Sequence, residues 1–208
     1  MMNKENMMLG MEALSLIDED IKQAYTEIGL PAERSSPEGF ETFLSTIISQ
    51  QLSTKVAMVI KDRVVALMED LTPESLLNIP DQSLRDAGLS WRKVEYAKGL
   101  AEAIATNRFD IDNLGKLSDD DAIKAITEIK GFGRWSAEIY LMFSLDRKDV
   151  FPADDLGLLV ALKHLKGVPE KPTAKQAREI VKHWSPWQSA GALFLWQYYH
   201  QLNLPKKA

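Results

Sequence analysis

The sequence contains no cysteine among its 208 residues and only three histidines. The lack of cysteine excludes disulfide bonds, thiolate nucleophiles, Cys-ligated zinc sites and iron–sulfur clusters. The histidines, His164, His183 and His200, are too few and too scattered to predict a metal site. These absences give no support to a thiol-dependent enzyme or a zinc protein.

Long apolar runs are also absent, since no stretch approaches the roughly 18–20 residues that cross a bilayer. The start of the sequence lacks the apolar segment of a signal peptide. Hydrophobic residues make up 45% and charged residues 26% of the chain, a composition typical of soluble globular proteins. We therefore expect a protein of the cytoplasm, or of the nucleus in a eukaryote, without a membrane association. Its length suits one large domain or two small subdomains that share a core.

The net charge of −5 is unevenly distributed along the chain. Residues 1–50 contribute −6 and residues 51–160 contribute −5, whereas residues 161–208 contribute +6. The bases of this last segment are Lys163, Lys166, Lys171, Lys175, Arg178, Lys182, Lys206 and Lys207. A polyanion could dock there, although a solvated helix surface would have the same composition.

Apolar residues recur with helical spacing along nearly the whole chain, as in Phe40, Phe43, Leu44, Ile47 and Ile48. We predict an all-α protein without a sheet. The predicted helices lie near residues 12–28, 37–50, 54–69, 73–79, 81–87, 91–106, 119–129, 134–145, 155–165, 173–184 and 186–201. Residues 1–10 carry four methionines and little pattern, so we expect a frayed end there.

Capping residues mark several of the predicted helix starts. A serine or threonine stands just before the helix at Ser36, Thr72, Ser118, Thr173 and Ser185. The side-chain oxygen of such a residue accepts a hydrogen bond from a backbone N–H of the first turn. Thr173 is followed three residues later by Gln176, the pattern of a capping box.

Two glycines, Gly131 and Gly133, separate two amphipathic helices. Glycines in this arrangement allow a sharp turn with positive φ and let another backbone come close. The N–H groups that follow lie at a helix N-terminus, where an anion such as phosphate is favoured. A helix-hairpin-helix could hold a DNA backbone in this way, although a plain helix–helix turn with a glycine cap remains an alternative.

Two adjacent carboxylates, Asp154 and Asp155, follow Pro152 and precede an apolar run from Leu156. They are therefore expected at the N-terminus of a helix, where the helix dipole favours the ionised form. An ionised carboxylate there can stabilise a cationic transition state or orient a water molecule. The alternative is structural: one helix cap and one acid of the first turn.

Taken together, these segments resemble the helix-hairpin-helix (HhH-GPD) DNA glycosylase superfamily, and most of all its 3-methyladenine DNA glycosylase II group (AlkA and Mag type). The resemblance extends over about residues 36–200. Its motifs are residues 47–53, 88–93, 130–137, 149–157 and 185–189. It implies two helical subdomains with a cleft between them, together forming one glycosylase domain over residues 1–208.

The resemblance assigns a role to individual residues. Asp155 matches the catalytic aspartate of the family, with Asp154 as its neighbour. The DNA-binding positions are Lys130, Gly131, Phe132, Gly133, Arg134 and Ser136 in the hairpin, and Gln51 and Leu52 in a loop that fills the gap left by a flipped nucleotide. The candidates for the base pocket are Trp135, Trp196 and, as a poorer match, Trp187, each with core packing as its alternative.

The implied reaction is hydrolysis of the N-glycosidic bond of alkylated purines, such as 3-methyladenine and 7-methylguanine, after the base is flipped out of double-stranded DNA. Lyase relatives carry a lysine nucleophile where this sequence has Trp135, so we expect base release without strand cleavage. No cofactor is expected to be required, although family hairpins often hold Na⁺ or K⁺ through backbone carbonyls, here those of Thr127, Ile129 and Phe132. We expect a monomer, associated with the nucleoid in a bacterium.

This sequence departs from the family pattern in three respects. Lys130 stands where a proline is common, and Gln51 replaces an apolar wedge. The 208 residues leave no room for the N-terminal β-domain of the longer AlkA-type enzymes, so we expect none. Two other functions stay open: a non-catalytic protein that binds damaged or abasic DNA through the same hairpin, and an unrelated helical interaction protein.

Overall fold

The computed structural model describes residues 4–202, and the regular structure in this range is entirely helical. In chain order, the elements are α1 (Lys4–Ile17), α2 (Glu19–Ile28), α3 (Phe40–Ser49), α4 (Thr54–Val65), α5 (Pro73–Asn78), α6 (Asp81–Asp86), α7 (Trp91–Ala105), a 3₁₀-helix (Ile111–Lys116), α8 (Asp119–Thr127), α9 (Arg134–Phe143), α10 (Leu156–Leu165), α11 (Ala174–Val181), a second 3₁₀-helix (Lys182–Trp184) and α12 (Gln188–Gln201). The predicted all-α class is confirmed. Within the described range, no helix is both long and apolar enough to span a membrane.

The chain divides into two compact units. The central unit runs from Ser36 to Ala137, and the terminal unit combines the chain up to Ser35 with the chain from Glu138 onwards. The boundary falls within α9, so the first four residues of this helix belong to the central unit and the rest to the terminal unit.

The terminal unit is built around α12, whose residues Ser189–Leu195 are all buried. Gly191 lies against the buried indole of Trp184, and a Cβ at Gly191 would come within 2.5 Å of that ring. Only glycine therefore lets Trp184 pack against this helix. Because α12 is enclosed along this stretch, it gives the unit a fixed frame on which other side chains are positioned.

Asp18 links both ends of the chain inside the terminal unit. Its carboxylate is 5% exposed, caps α2, and accepts hydrogen bonds from Lys166 Nζ (2.6 Å to each oxygen) and Trp184 Nε1 (2.6 Å). His183 Nε2 lies 3.1 Å from Oδ2. Burial alone would raise the pKa of Asp18, but the hydrogen bonds from Lys166, Trp184 and the Ile21 backbone outweigh burial and hold this pKa below its ordinary value.

The N-terminal segment differs from the prediction. The expected frayed end at residues 1–10 is wrong from Lys4 onwards, because α1 buries Met7, Met11 and Leu14 completely. These residues follow i, i+4, i+7 spacing, so the methionines are core residues. Residues 1–3 lie outside the described part of the chain. The predicted helix 12–28 is in fact two helices, divided at Asp18 because its side chain caps the second one.

Other boundaries were predicted with mixed success. Thr72, Ser118 and Thr173 are helix caps as predicted, and Thr173 forms the expected capping box with Gln176. The predicted caps at Ser36 and Ser185 are wrong, because α3 begins after Gly39 and α12 after Trp187. The 3₁₀-helix at Ile111–Lys116 was not predicted.

The basic C-terminal segment is partly neutralised within the fold. Lys166 pairs with Asp18 and Asp20, and Arg178 pairs with Glu138 and Asp154. Lys206 and Lys207 lie outside the described residues. The positive charge that this segment offers to a polyanion is therefore smaller than the sequence count suggests.

Candidate active site

The turn between α8 and α9 in the central unit is a tight hairpin that requires glycine at one position. Gly131 has φ +102°, and a Cβ there would lie 2.5 Å from the ring of Tyr96. The Phe132 N–H donates to the carbonyl of Ile129 (3.1 Å) and closes the turn. Gly131 is thus a glycine both because of its backbone conformation and because Tyr96 fills the adjacent space.

Phe132 anchors the hairpin from inside. Its side chain is 7% exposed and packs edge-to-face against Phe43 of α3, with ring centroids 5.2 Å apart. Phe43 makes a similar contact with Phe109 on another side (5.4 Å). Phe132 was predicted to bind DNA, but its side chain is buried and is therefore not available for a direct contact with DNA.

Gly133 differs from Gly131. Its φ lies outside the left-handed region, and a Cβ there would meet nothing within 4 Å. Of the two glycines, Gly131 alone adopts the positive φ that glycine allows. Gly133 is exposed just before α9, together with Arg134 and Trp135. The fold itself does not require glycine at this position. A group that approaches the start of α9 from outside would require it, because a side chain there would stand in its way.

Lys130 is an exposed cation at the tip of the hairpin. Its ammonium pairs with Glu95 of α7, and the hydrogen bond to that carboxylate raises the pKa of Lys130. Both side chains remain largely exposed, so the charge is accessible from solvent. Ser136, in the first turn of α9, is half-buried.

The loop between α3 and α4 is tied to the hairpin within the central unit. Gln50 Nε2 donates to the carbonyl of Gly131 (2.8 Å). Lys93 Nζ donates to the carbonyls of Ile48 and Gln50 (2.7 Å each), and burial lowers the pKa of Lys93. Gln51 at the tip has φ +58° and is exposed. The predicted loop residues thus project from a firmly anchored base.

Gln50 and Lys93 were not predicted as site residues. Both lie in segments on which the family resemblance rests, residues 47–53 and 88–93. Their role depends on contacts over 81 and 43 positions of sequence. The motif could have pointed to the positions, but only the structure gives the bonding partners.

Asp155 occupies the predicted place at the start of α10. It is the N-cap, and its Oδ1 accepts hydrogen bonds from the Leu158 backbone N–H (3.0 Å) and from Trp196 Nε1 (3.1 Å). The side chain is half-buried. The structural and functional interpretations are compatible here, because the cap holds the carboxylate in one orientation at the positive end of a helix.

The neighbouring Asp154 belongs to a separate ion-pair group. Arg178 donates to Asp154 Oδ2 (3.2 Å) and to Oε1 of the buried Glu138 (3.0 Å). Burial would lower the pKa of Arg178, but its hydrogen bonds to Glu138 and Asp154 outweigh burial and raise this pKa. Arg178 was predicted only as part of the basic segment, yet it braces the turn that leads to Asp155.

The three candidate tryptophans lie in three different settings. Trp196 contacts Asp155 and packs against Phe143 with centroids 5.8 Å apart. Trp187 packs against Gly10 of α1, with Lys148 Nζ 5.2 Å from its ring centroid. Trp135 is 40% exposed near the start of α9, in the central unit. Within the terminal unit, the structure therefore brings Trp196 next to the predicted catalytic carboxylate.

Metal ligation finds no support in the described part of the chain. Within residues 4–202, no group of three or more histidine, aspartate or glutamate side chains is arranged to hold a metal ion.

Comparison with known proteins gives the family. The family model described as "HhH-GPD superfamily base excision DNA repair protein" matches residues 44–186. The chain belongs to this superfamily. The matched range contains the anchored loop, the glycine hairpin and Asp155, while Trp196 lies just beyond it.

Individual members of the superfamily are similar over most of their length. DNA-3-methyladenine glycosylase 1 of Schizosaccharomyces pombe is 32% identical over 88% of this chain and 84% of its own. The crystal structure of a DNA-3-methyladenine glycosidase from Bacillus halodurans has a TM-score of 0.84 at 33% identity, covering 92% of this chain and 89% of that one. A 3-methyladenine DNA glycosylase from S. pombe, solved in complex with abasic DNA, has a TM-score of 0.83 at 30% identity, covering 95% of this chain and 99% of that one.

Proposed function

We propose that the protein is a DNA glycosylase that releases alkylated purines, of the 3-methyladenine and 7-methylguanine type, by hydrolysis of the N-glycosidic bond. The observation that carries the proposal is the carboxylate of Asp155, oriented by the Leu158 N–H and the Trp196 indole at the start of α10. The names of the similar proteins support the substrate class.

The chemistry follows from the properties of the damaged base. Alkylation at a ring nitrogen makes a purine cationic and weakens its glycosidic bond, so the enzyme needs to supply only modest assistance. When the bond breaks, its electron pair moves into the base and the sugar gains oxocarbenium character. The negative charge of Asp155 stabilises that cation and orients the water that adds to it. Trp196 offers an aromatic face for the base, a cation–π contact of about 0.5–2 kcal/mol.

The base must leave the duplex before it can react. Flipping costs a few kcal/mol and is easier for a damaged base. The exposed tip at Gln51 and Leu52, anchored through Gln50, is suited to fill the vacated space. The start of α9 behind Gly133, with Lys130 and Arg134 nearby, is suited to bind phosphate.

We expect base release without strand cleavage. Lyase activity requires an amine that attacks the sugar to form a Schiff base. The position of that lysine in lyase relatives is occupied here by Trp135. We further propose that the whole chain acts as one glycosylase domain and as a monomer on double-stranded DNA, in the nucleoid or the nucleus.

A monovalent cation would fit the hairpin. Backbone carbonyl oxygens are suitable ligands for K⁺, and those of Thr127, Ile129 and Phe132 would hold Na⁺ or K⁺ here. The Ile129 carbonyl accepts one N–H, from Phe132, and a carbonyl oxygen has two lone pairs, so this bond leaves room for a cation. A bound cation would add positive charge where the hairpin meets a phosphate.

The proposal is tested by replacing Asp155 with Asn, which keeps the helix cap while removing the charge. We expect release of 3-methyladenine and 7-methylguanine from methylated genomic DNA to fall about 10²–10³-fold, as measured by mass spectrometry of the free bases. Asp154→Asn is the matched control and should retain most of the activity. A wild-type protein that binds abasic DNA but releases no base would instead support the non-catalytic alternative.

A further inference from the structure

Arg34 lies against the aromatic pair of Phe143 and Trp196 within the terminal unit, and Trp196 of this pair donates to Asp155. It belongs to the irregular segment between α2 and α3 and is exposed. Its guanidinium carbon is 4.9 Å from the ring centroid of Phe143 and 5.8 Å from that of Trp196. Since Trp196 donates to Asp155, this cation is close to the carboxylate and to the ring expected to receive the base.

The contact differs from two other cation–ring contacts of the chain. Arg85, over Trp91, also donates to the Leu89 carbonyl, and Lys148, over Trp187, also donates to Asn6. Arg34 forms no hydrogen bond or salt bridge with any residue in the range 4–202. No salt bridge within this range therefore holds the guanidinium in place, and its charge acts on whatever shares the rings.

We propose that Arg34 shifts the selectivity of the base pocket towards neutral damaged bases relative to cationic ones. The proposal rests on the proposed glycosylase function and on the base stacking at Trp196. A base that stacks there lies within a few ångströms of the guanidinium, where a unit charge acts strongly in a partly buried site.

The sign of the effect follows from the electron flow. As the bond between C1′ and the base nitrogen breaks, its electron pair enters the base, and water adds to the sugar with loss of a proton. A cationic base such as 7-methylguanine goes from +1 to neutral, so Arg34 repels it before and during the reaction. A neutral base such as hypoxanthine acquires negative charge, so Arg34 attracts it in the transition state.

The test compares two lesions in one duplex sequence. Any contact of Arg34 with phosphate then affects both values of kcat/KM equally and drops out of their ratio. We expect Arg34→Gln to raise the ratio of kcat/KM for 7-methylguanine to that for hypoxanthine by roughly three- to tenfold, as for one partly screened charge. Arg34→Lys retains the charge and should stay within about twofold of wild type. Lys148→Gln, which removes another cation over a tryptophan of this unit, should leave the ratio unchanged.

Two results would overturn the inference. A lower ratio in Arg34→Gln, or an unchanged ratio with both values of kcat/KM unchanged, would mean that the charge does not act on the base. Equal acceleration of both lesions would mean that Arg34 merely blocks the rings and is displaced. Either result would leave the glycosylase function intact, since both require active enzyme.

A second measurement separates the inference from the proposed function, because it needs no catalysis. The indole N–H signal of Trp196, assigned with Trp196→Phe, is followed by NMR during titration with 1-methyladenosine, a cationic nucleoside, and with adenosine, its neutral counterpart. We expect Arg34→Gln to increase the affinity for 1-methyladenosine relative to adenosine, again about three- to tenfold. If neither nucleoside shifts the signal in any variant, the inference fails even if bases are released from DNA.

If the wild-type protein releases no base from DNA, the proposed function fails, whatever the result of the nucleoside titrations.

Discussion

The hairpin of the central unit is held in place mainly by shape, whereas the region around Asp155 in the terminal unit is held mainly by charge. The hairpin depends on the ring of Tyr96 beside Gly131 and on the ring of Phe132 packed against Phe43. The start of α10 depends on a capping carboxylate and on the ion pairs of Arg178. Van der Waals packing does not change with pH or salt, while ion pairs do. The two regions should therefore respond differently to the same perturbation.

The largest effect is expected at the charged centre of the terminal unit. Asp18→Asn removes the buried carboxylate that is the principal counter-charge of the half-buried Lys166, and should lower the free energy of unfolding by about 3–5 kcal/mol. Urea denaturation measures this change. Asp20→Asn is the control, because Asp20 binds the same ammonium from an exposed position and should cost less than about 1 kcal/mol. Equal losses in both variants would contradict a buried ion-pair centre.

The same centre predicts a pH dependence. The pKa of Asp18 lies below its usual value of 3.8, so the ionised group stabilises the fold above that pH. This stabilisation is lost as the pH falls through the lowered pKa. The difference in unfolding free energy between wild type and Asp18→Asn should therefore be constant near neutral pH and shrink below pH 3.8. A difference that grows on acidification would contradict the assignment.

The two hairpin glycines should separate stability from DNA binding. Gly131→Ala forces a side chain into positive φ and against Tyr96, and should cost about 2–4 kcal/mol. Gly133→Ala should change stability by less than about 0.5 kcal/mol, since no residue of the range 4–202 apart from its chain neighbours lies within 4 Å of the added Cβ.

Gly133→Ala should affect DNA binding rather than stability. Binding to a duplex with an abasic site, followed by fluorescence anisotropy at fixed salt, should weaken about tenfold or more in Gly133→Ala, as for one lost charge-assisted hydrogen bond. If Gly133→Ala binds like wild type, the phosphate does not approach the start of α9 at this position.

A smaller loss of stability than at Asp18 is expected at Arg178. Arg178→Met removes the hydrogen bonds to Glu138 and Asp154 and should lower the unfolding free energy by about 1–3 kcal/mol. Because Asp155 keeps its own cap and its bond to Trp196, the rate of base release should fall far less than in Asp155→Asn. Single-turnover kinetics measures this fall. A loss as large as that of Asp155→Asn would assign Arg178 to the chemistry itself.

Local patterns in the sequence predicted much of the fold. The caps at Thr72, Ser118 and Thr173 were correct because their bonding partners lie within the next turn. The cap at Asp18 was missed although its partner, the Ile21 N–H, is equally local, and the bonds of Asp18 to Lys166 and Trp184, about 150 residues away or more, give no local signal. Distant partners explain the remaining error at Ser185, whose hydroxyl donates to Asp149 instead of capping α12.

The candidate site shows the same difference between features that depend on local residues and features that depend on distant ones. Motif spacing predicted the place of Asp155 at the start of a helix, and the family resemblance named Trp196 as one of three candidate tryptophans. Arg34 carried no signal, because an arginine in an irregular segment has no pattern that indicates which rings it contacts. Long side chains gain their function from tertiary neighbours, and one-dimensional spacing does not record these neighbours.

The order of the two units along the chain has a consequence for synthesis on the ribosome. The central unit is contiguous, so all of its residues have left the exit tunnel soon after Ala137 is added. The terminal unit must wait, since Asp18 meets its partners only when Lys166 and Trp184 have been made. During that interval α1 and α2 expose the apolar faces that they later bury. The nascent N-terminus is therefore the part of this protein that most needs shielding by a chaperone before translation ends.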